Sequence, residues 1–228
     1  MQMPPLPLTR DIVLIGGGHA HALVLRMWGM SPLAGARITV INPGPVAPYT
    51  GMLPGAIAGH YTRDAMMIDL ARVILDRACD IDRAAGQVVL TSGRRLRYDV
   101  ASIDIGIASD LPEVPGYAAH GVAAKPLGAY AARWEAFVAE AGAAPALTIV
   151  GAGVGGVELA LASAHRLWGL GKTARITLLD RGAEALQGVS AGTRRTLLAA
   201  LRDHGVTLIT GVSVAEVMAD AVVLTDGK

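Results

Sequence analysis

Cysteine is almost missing from this chain of 228 residues. Cys79 stands alone, which excludes an intramolecular disulfide and any C-x-x-C redox pair. A reducing compartment, the cytoplasm, is the expected setting. Excess charge is missing too: a formal net charge of +1 provides no basic field, so nucleic acid is not an expected partner. Although 52% of the residues are hydrophobic, no uninterrupted apolar run reaches the length of a membrane span. The stretch 143–164 comes nearest, but Gly151, Gly153, Gly155 and Gly156 break it and Glu158 lies inside it. A buried parallel strand running into a packed helix explains that pattern better, and no transmembrane segment is expected. The first nine residues are rich in Pro and carry no positive charge, whereas a cleavable signal begins with basic residues and continues into a longer apolar core.

What is present is one folding unit written twice. Asp11-Ile12-Val13-Leu14-Ile15-Gly16-Gly17-Gly18 is answered by Leu147-Thr148-Ile149-Val150-Gly151-Ala152-Gly153. Ala36-Arg37-Ile38-Thr39 recurs as Ala174-Arg175-Ile176-Thr177, and Val88-Val89-Leu90-Thr91 as Val222-Val223-Leu224-Thr225. The three landmarks keep their order and a nearly constant displacement. The expected fold is α/β: two Rossmann-like dinucleotide-binding units with parallel sheets and small β-meander insertions.

In the first unit the pattern reads strand 12–15, glycine turn, helix from about 19 to 29, and strand 37–41. Ala20, Leu23, Val24 and Met27 have the i, i+3, i+4, i+7 spacing of one buried helix face. A Pro- and Gly-rich stretch from Pro43 to Gly55 reads as a long stiff loop. Asp64 reads as an N-cap for a helix running through Leu70, Val73 and Ile74. Short β segments at 87–91 and 95–98, turning at Ser92-Gly93, precede a buried strand at 100–105. The division expected is a first unit 1–112, a connection 113–126 rich in Pro, and a second unit 127–228. That second unit reads helix 127–141, strand, glycine turn, helix, strand, helix around 193–204, strand 206–210 and the start of a hairpin. Residues 221–228 match 87–94, whose hairpin partner follows them. The expectation is therefore an unpartnered edge strand and a second unit incomplete at its C-terminus, a piece of a longer protein.

A dinucleotide site needs a tight turn from strand to helix, a glycine near the pyrophosphate, and a small residue where helix meets strand. Gly151-Ala152-Gly153-Val154-Gly155-Gly156 satisfies this in full. Asp180, at the end of the next strand, is the acid expected roughly 20 residues past the last glycine. Its charge favours NADH over NADPH, although Arg181 beside it weakens that preference, and the alternative is a loop cap. In the first turn Gly16 and Gly18 are in place. His21 takes the third glycine position and Asn42 the place of the acid. His19 and His21, two apart on a helix, point away from each other, so a metal pair is not expected. Gly188-Val189-Ser190-Ala191-Gly192 has the G-x-S-x-G spacing of serine hydrolases but no buried strand before it, so Ser190 reads as a helix N-cap.

Gly16-Gly17-Gly18-His19-Ala20-His21, residues 48–61, Tyr98-Asp99 leading to Asp104-Ile105-Gly106, and residues 150–160 together carry a resemblance. The chain resembles the FAD-dependent pyridine nucleotide oxidoreductases, which include type II NADH dehydrogenases and sulfide:quinone reductases. Within that family it is most similar to an NADH-dehydrogenase-like branch associated with selenide, water dikinase. The resemblance implies FAD in the first unit at Gly16, Gly18, His19 and Asn42, with Pro48, Tyr49, Met52, Ile105 and Gly106 beside the isoalloxazine. It implies NADH in the second at Gly151, Gly153, Gly156 and Asp180, with Glu158 towards the nicotinamide and Lys125 near the flavin. Glu158 reads equally as a structural carboxylate, and Lys125 as a surface lysine.

The implied reaction passes hydride from NADH to flavin and on to a small-molecule acceptor such as a quinone. Such chemistry asks for alignment rather than a catalytic triad. Disulfide reductases and sulfide:quinone reductases use cysteine pairs, which Cys79 alone cannot supply. In the family, a later segment returns to complete the FAD domain, and any peripheral membrane contact would reside there; no such segment follows residue 110. The alternative reading is a non-catalytic nucleotide-binding or interaction module. Nothing in the sequence assigns an oligomeric state.

Overall fold

A computed structural model describes residues 8–70, 73–107 and 113–227. The chain divides into two compact units: Met1–Thr50 with Met66–Ile107, and Gly51–Ala65 with Ala108–Lys228. Both are α/β with a parallel sheet, as the sequence leads one to expect.

The first unit runs β1 (Arg10–Ile15), α1 (His19–Met30), β2 (Ala36–Asn42), β3 (Val46–Pro48), β4 (Met67–Asp69), β5 (Val73–Leu75), β6 (Ala78–Asp82), β7 (Gln87–Leu90), β8 (Arg95–Arg97) and β9 (Val100–Ile103). Its main sheet has the order β5-β2-β1-β9, all parallel. Val13, Leu14 and Ile15 are buried in succession, the mark of a strand covered on both faces. The antiparallel meander β6-β7-β8 covers one face, as Val88 and Leu90 pack with Val13, Ile15 and Ile41. Asp99 fastens the meander's exit to β1: its N–H donates to Asp11 O, and its carboxylate accepts the Asp11 N–H at 2.7 Å.

Three expectations fail in this unit. The strand expected to be buried at 100–105 is β9, which ends at Ile103 on the sheet edge, with Val100 52% and Ile103 58% exposed. The apolar spacing through Leu70, Val73 and Ile74 does not make a helix; a 3-10 turn at Asp64–Met66 leads into β4 and β5. So few apolar positions fit either period, and the ladder Val40–Val73, Ile41–Ile74 and Asn42–Leu75 decides for strand. Helix α1 is also turned from the predicted face. Leu23 is 57% and Met27 67% exposed, while His21 is only 2% exposed. Its ring is anchored below the helix, so His21, Leu25 and Trp28 take the inward side, buried or half-buried.

The second unit runs α2 (Leu53–Ala58), α3 (Tyr117–His120), α4 (Leu127–Glu140), β10 (Ala146–Val150), α5 (Val154–Gly169), β11 (Arg175–Leu179), α6 (Ala191–Asp203), β12 (Thr207–Ile209), β13 (Val214–Val217) and β14 (Val222–Leu224). The parallel sheet has the order β10-β11-β12. Val157, Ala160, Ala164 and Leu167 line the fully buried stripe of α5. Ser190 caps α6, its hydroxyl accepting the Thr193 N–H at 3.3 Å. β14 has a partner, since it pairs antiparallel with β13, upstream of it rather than downstream.

The 43–55 stretch is not all loop, because α2 begins at Leu53. Sequence reading keeps this segment in an unbroken first unit, whereas residues 51–65 pack with the second. Ile57 is 1% exposed, and its carbonyl accepts the Trp134 indole N–H at 3.2 Å. The motif is tied to itself: the Tyr61 hydroxyl donates to Met52 O at 2.5 Å and its ring lies against Gly55. Gly59, at φ +81°, ends α2 in the left-handed conformation.

Asp76, where β5 turns into the meander, receives the Ser92 and Thr91 hydroxyls and the Arg77 N–H, in that order of strength, which hold its carboxyl at about 2. A carboxyl depressed in the folded state contributes stability above its ordinary pKa of 3.8, and loses it as pH falls through about 2. The stability difference between wild type and Asp76→Asn is therefore expected to be constant above pH 3.8 and to shrink towards zero near pH 2. Urea denaturation across that range measures it; a difference that does not change with pH would contradict the assignment.

Candidate functional site

Each unit carries its glycine turn at the C-terminal ends of its parallel strands, where open α/β sheets place ligands. The two turns are built on the same bonds. Gly16 (φ +91°) and Gly151 (φ +105°) leave their strands in the left-handed region, and their N–H groups donate to Ile41 O at 2.8 Å and Leu179 O at 2.7 Å. The next N–H in each turn donates to a side chain ending the neighbouring strand: Gly17 to Asn42 Oδ1 at 3.1 Å, and Ala152 to Asp180 Oδ2 at 2.5 Å. Asn42 and Asp180 are thus equivalent, one neutral and one charged. Asn42 Nδ2 donates to Gly44 O at 2.8 Å, and Asp180 Oδ1 accepts the Gly182 N–H at 2.7 Å.

At the third glycine position the turns part. A Cβ added to Gly156 would lie 1.8 Å from Gly151 O, so α5 can approach its strand only because that residue is glycine. His21 occupies the matching place, and its Nδ1 is 2.8 Å from Gly16 O, the equivalent carbonyl. Its Nε2 is 2.9 Å from Ser102 Oγ on β9. The buried ring thus finds a partner for each of its two nitrogens.

Around the first turn the structure gathers several of the residues expected from sequence. The exposed His19 ring lies 5.9 Å from that of Tyr49, which follows Pro48 at the end of β3. Gly18 donates to Asp104 O at 3.0 Å, and beyond Asp104 come Ile105, 70% exposed, and Gly106 at φ +71°. Met52 belongs instead to the segment of the second unit, where its carbonyl serves Tyr61. His19 is exposed and His21 buried, and the described residues hold no cluster of three or more metal-ligating side chains. Asp104 and Ser102 have no role in the sequence reading. The available signal was an acid at a strand end two residues before Gly106.

Around the second turn, Ala152 is fully buried and its carbonyl accepts the Leu186 N–H at 2.8 Å. Leu186 itself is buried at φ +57°, a conformation L-residues rarely adopt, so the 181–189 loop is held firmly beneath the turn. A Cβ on Gly153 or Gly155 would meet nothing within 4 Å, and no side-chain cap closes the start of α5. Glu158 is exposed on α5, so it is not a buried structural carboxylate. Lys125 is half-buried just before α4, in a cis peptide bond to Pro126.

Both helix starts follow a parallel strand and present N–H groups at the positive end of a helix dipole, the arrangement that receives a pyrophosphate. The strand before α5 is not the buried one expected from the sequence: β10 lies at the sheet edge, and Val150 is 64% exposed. The second turn has open room for one. In the first, the Asp104 carboxylate already stands against the helix start.

The family description "Pyridine nucleotide-disulphide oxidoreductase" matches residues 10–228. An NADH dehydrogenase-like protein of Mycobacterium tuberculosis is 30% identical over 96% of this chain, and the chain spans about half (52%) of that relative's length. Among solved structures, a ferredoxin reductase from Rhodopseudomonas palustris superposes with a TM-score of 0.78 at 19% identity, covering 96% of this chain and 56% of the other. NDH2 from Plasmodium falciparum in complex with NADH gives 0.75 at 12% identity, covering 94% and 50%. Among the described residues no helix is long and apolar enough to cross a membrane.

Substituting Gly156→Ala is expected to destabilise the second unit by about 1–3 kcal/mol, because a backbone carbonyl cannot yield to the new methyl. Gly155→Ala, in open space on the same helix, is expected to cost nothing. Urea denaturation of the pair checks the contrast, and equal effects would contradict the geometry.

Proposed function

The chain belongs to the pyridine nucleotide-disulphide oxidoreductase family, and on that premise we propose that it carries FAD on its first unit and NADH on its second, for two-electron transfer between them. The observation that carries this reading is the paired construction of the turns, in which the same N–H is held by neutral Asn42 in one and by anionic Asp180 in the other.

A flavin facing a reduced nicotinamide supplies the hydride transfer when both are bound, and asks no nucleophile of the chain. The residues bind, orient and exclude. Asp180, kept in place by the Ala152 and Gly182 N–H groups, turns its charge to the ribose position of the second site. There it accepts from ribose hydroxyls and repels a 2′-phosphate. Asn42 places an uncharged amide at the corresponding position of the first. His19 and Tyr49 form an aromatic wall beside the first helix start, and Ile105 and Gly106 continue past it on the β9 side. Glu158, exposed on α5, and Lys125 are the side chains assigned to the nicotinamide and flavin ends. Cys79 alone supplies no dithiol relay within this chain, and the acceptor proposed is a small molecule such as a quinone, in a reducing, cytoplasmic setting.

Two measurements test this reading. The purified chain supplied with FAD is expected to be yellow, and anaerobic NADH is expected to bleach the flavin band; a colourless protein that FAD cannot reconstitute would sink the proposal in favour of a non-catalytic module. Asp180→Asn is expected to reduce the preference for NADH over NADPH at least tenfold, since charge-assisted hydrogen bonds contribute about 1.5–3 kcal/mol. An unchanged ratio would remove Asp180 from the selection.

A further inference from the structure

The two turns differ most at the place meant for a phosphate. At the start of α5 that place is open above Gly153 and Gly155. At the start of α1 it holds Asp104, whose Oδ2 accepts the N–H of Ala20 at 3.0 Å and of His21 at 3.3 Å. These are among the four N–H groups that a helix leaves without an internal partner, and the ones an incoming anion would seek. A Cβ on Gly18 would lie 2.1 Å from the carboxylate, so the glycine that elsewhere makes room for a ligand here makes room for Asp104. The backbone fixes it from both sides: Asp104 N–H donates to Ile15 O at 2.8 Å, and Asp104 O accepts the Gly18 N–H at 3.0 Å. His21 completes the lock, with its backbone N–H on Asp104 and its ring on Ser102, both from β9 or its end.

We infer that Asp104 is a built-in competitor for the anion site of the first turn, setting how tightly and how selectively that turn takes a dinucleotide. This rests on the reading that the first unit binds FAD. A pyrophosphate arriving there must displace the carboxylate from Ala20 and His21 or lie beside a like charge, and both routes weaken it. Free phosphate, pyrophosphate and mononucleotides, which bring little else, are kept out. A ligand with further contacts along the β9 and β3 ends still enters. The second turn has no such filter.

The test compares wild type with Asp104→Asn, which keeps an acceptor and the shape, and Asp104→Ala, which removes both charge and acceptor. Both variants are expected to bind FAD at least tenfold more tightly than wild type. Titration with inorganic pyrophosphate is expected to move the amide NMR signals of Ala20 and His21 in Asp104→Ala but not in wild type. If FAD binds wild type as tightly as the variants, or more tightly, the competitor role is overturned while the FAD reading stands. If FAD binds none of them, yet pyrophosphate moves those amides only in the variants, the competitor role stands and the FAD reading falls. Asp104→Asn keeps the test decisive should the alanine variant unfold, and amides that stay still in every variant overturn the inference.

Discussion

A buried N–H must find an acceptor, and in both units that need arises at the middle residue of the glycine turn. Gly17 and Ala152 are buried under the start of a helix, beyond the reach of water and of the sheet ladder. The acceptor comes from the residue at or just past the end of the second strand, through a side chain short enough to bend back. The same atom that completes the fold therefore stands at the edge of the ligand crevice. Whether it belongs to an amide or a carboxylate is free to vary, because either satisfies the N–H. The second atom of the side chain must then match the loop that follows: Asn42 Nδ2 donates to Gly44 O, and Asp180 Oδ1 accepts the Gly182 N–H.

The third glycine position shows the opposite case, in which a change does alter the framework. Gly156 allows close approach of helix and strand, and α5 presents its apolar stripe inward. With His21 in that place, α1 is held through an imidazole bridging Gly16 O and Ser102 Oγ. The helix is rolled accordingly, and Leu23, Val24, Met27 and Met30 face outward. One substitution accounts for the polar contact below the helix and for the apolar surface above it.

Much of this was legible in the sequence, and the failures have physical causes. β1 and β10 are largely apolar runs that end at a glycine, β2 and β11 are largely apolar runs that end at Asn42 and Asp180, and α4, α5 and α6 are long enough for their periodicity to speak. The equivalence of Asn42 and Asp180 could be read from the repeat alone. The inward face of α1 could not, because hydrophobic spacing assumes that the buried residue is apolar, and here it is a histidine. Residues 64–75 misled because three apolar positions fit a helix until β2 provides a ladder for Val73 and Ile74. Asp104 was visible only as a motif letter; its carboxylate acquires meaning from the fold that brings the end of β9 to the start of α1.

The chain passes between the two units three times, because residues 51–65 leave the first and join the second. During synthesis the first unit is therefore interrupted by a piece that has no home yet. Helix α2 emerges from the ribosome well before α4 and α5, whose surfaces bury Ile57. At ordinary elongation speeds the delay is on the order of ten seconds. Its internal tie, from Tyr61 to Met52 across Gly55, is local in sequence, but a helix of six residues is not stable in water without the surface that buries it. Vectorial assembly of this protein thus carries one unplaced segment until the surface that receives it has been made.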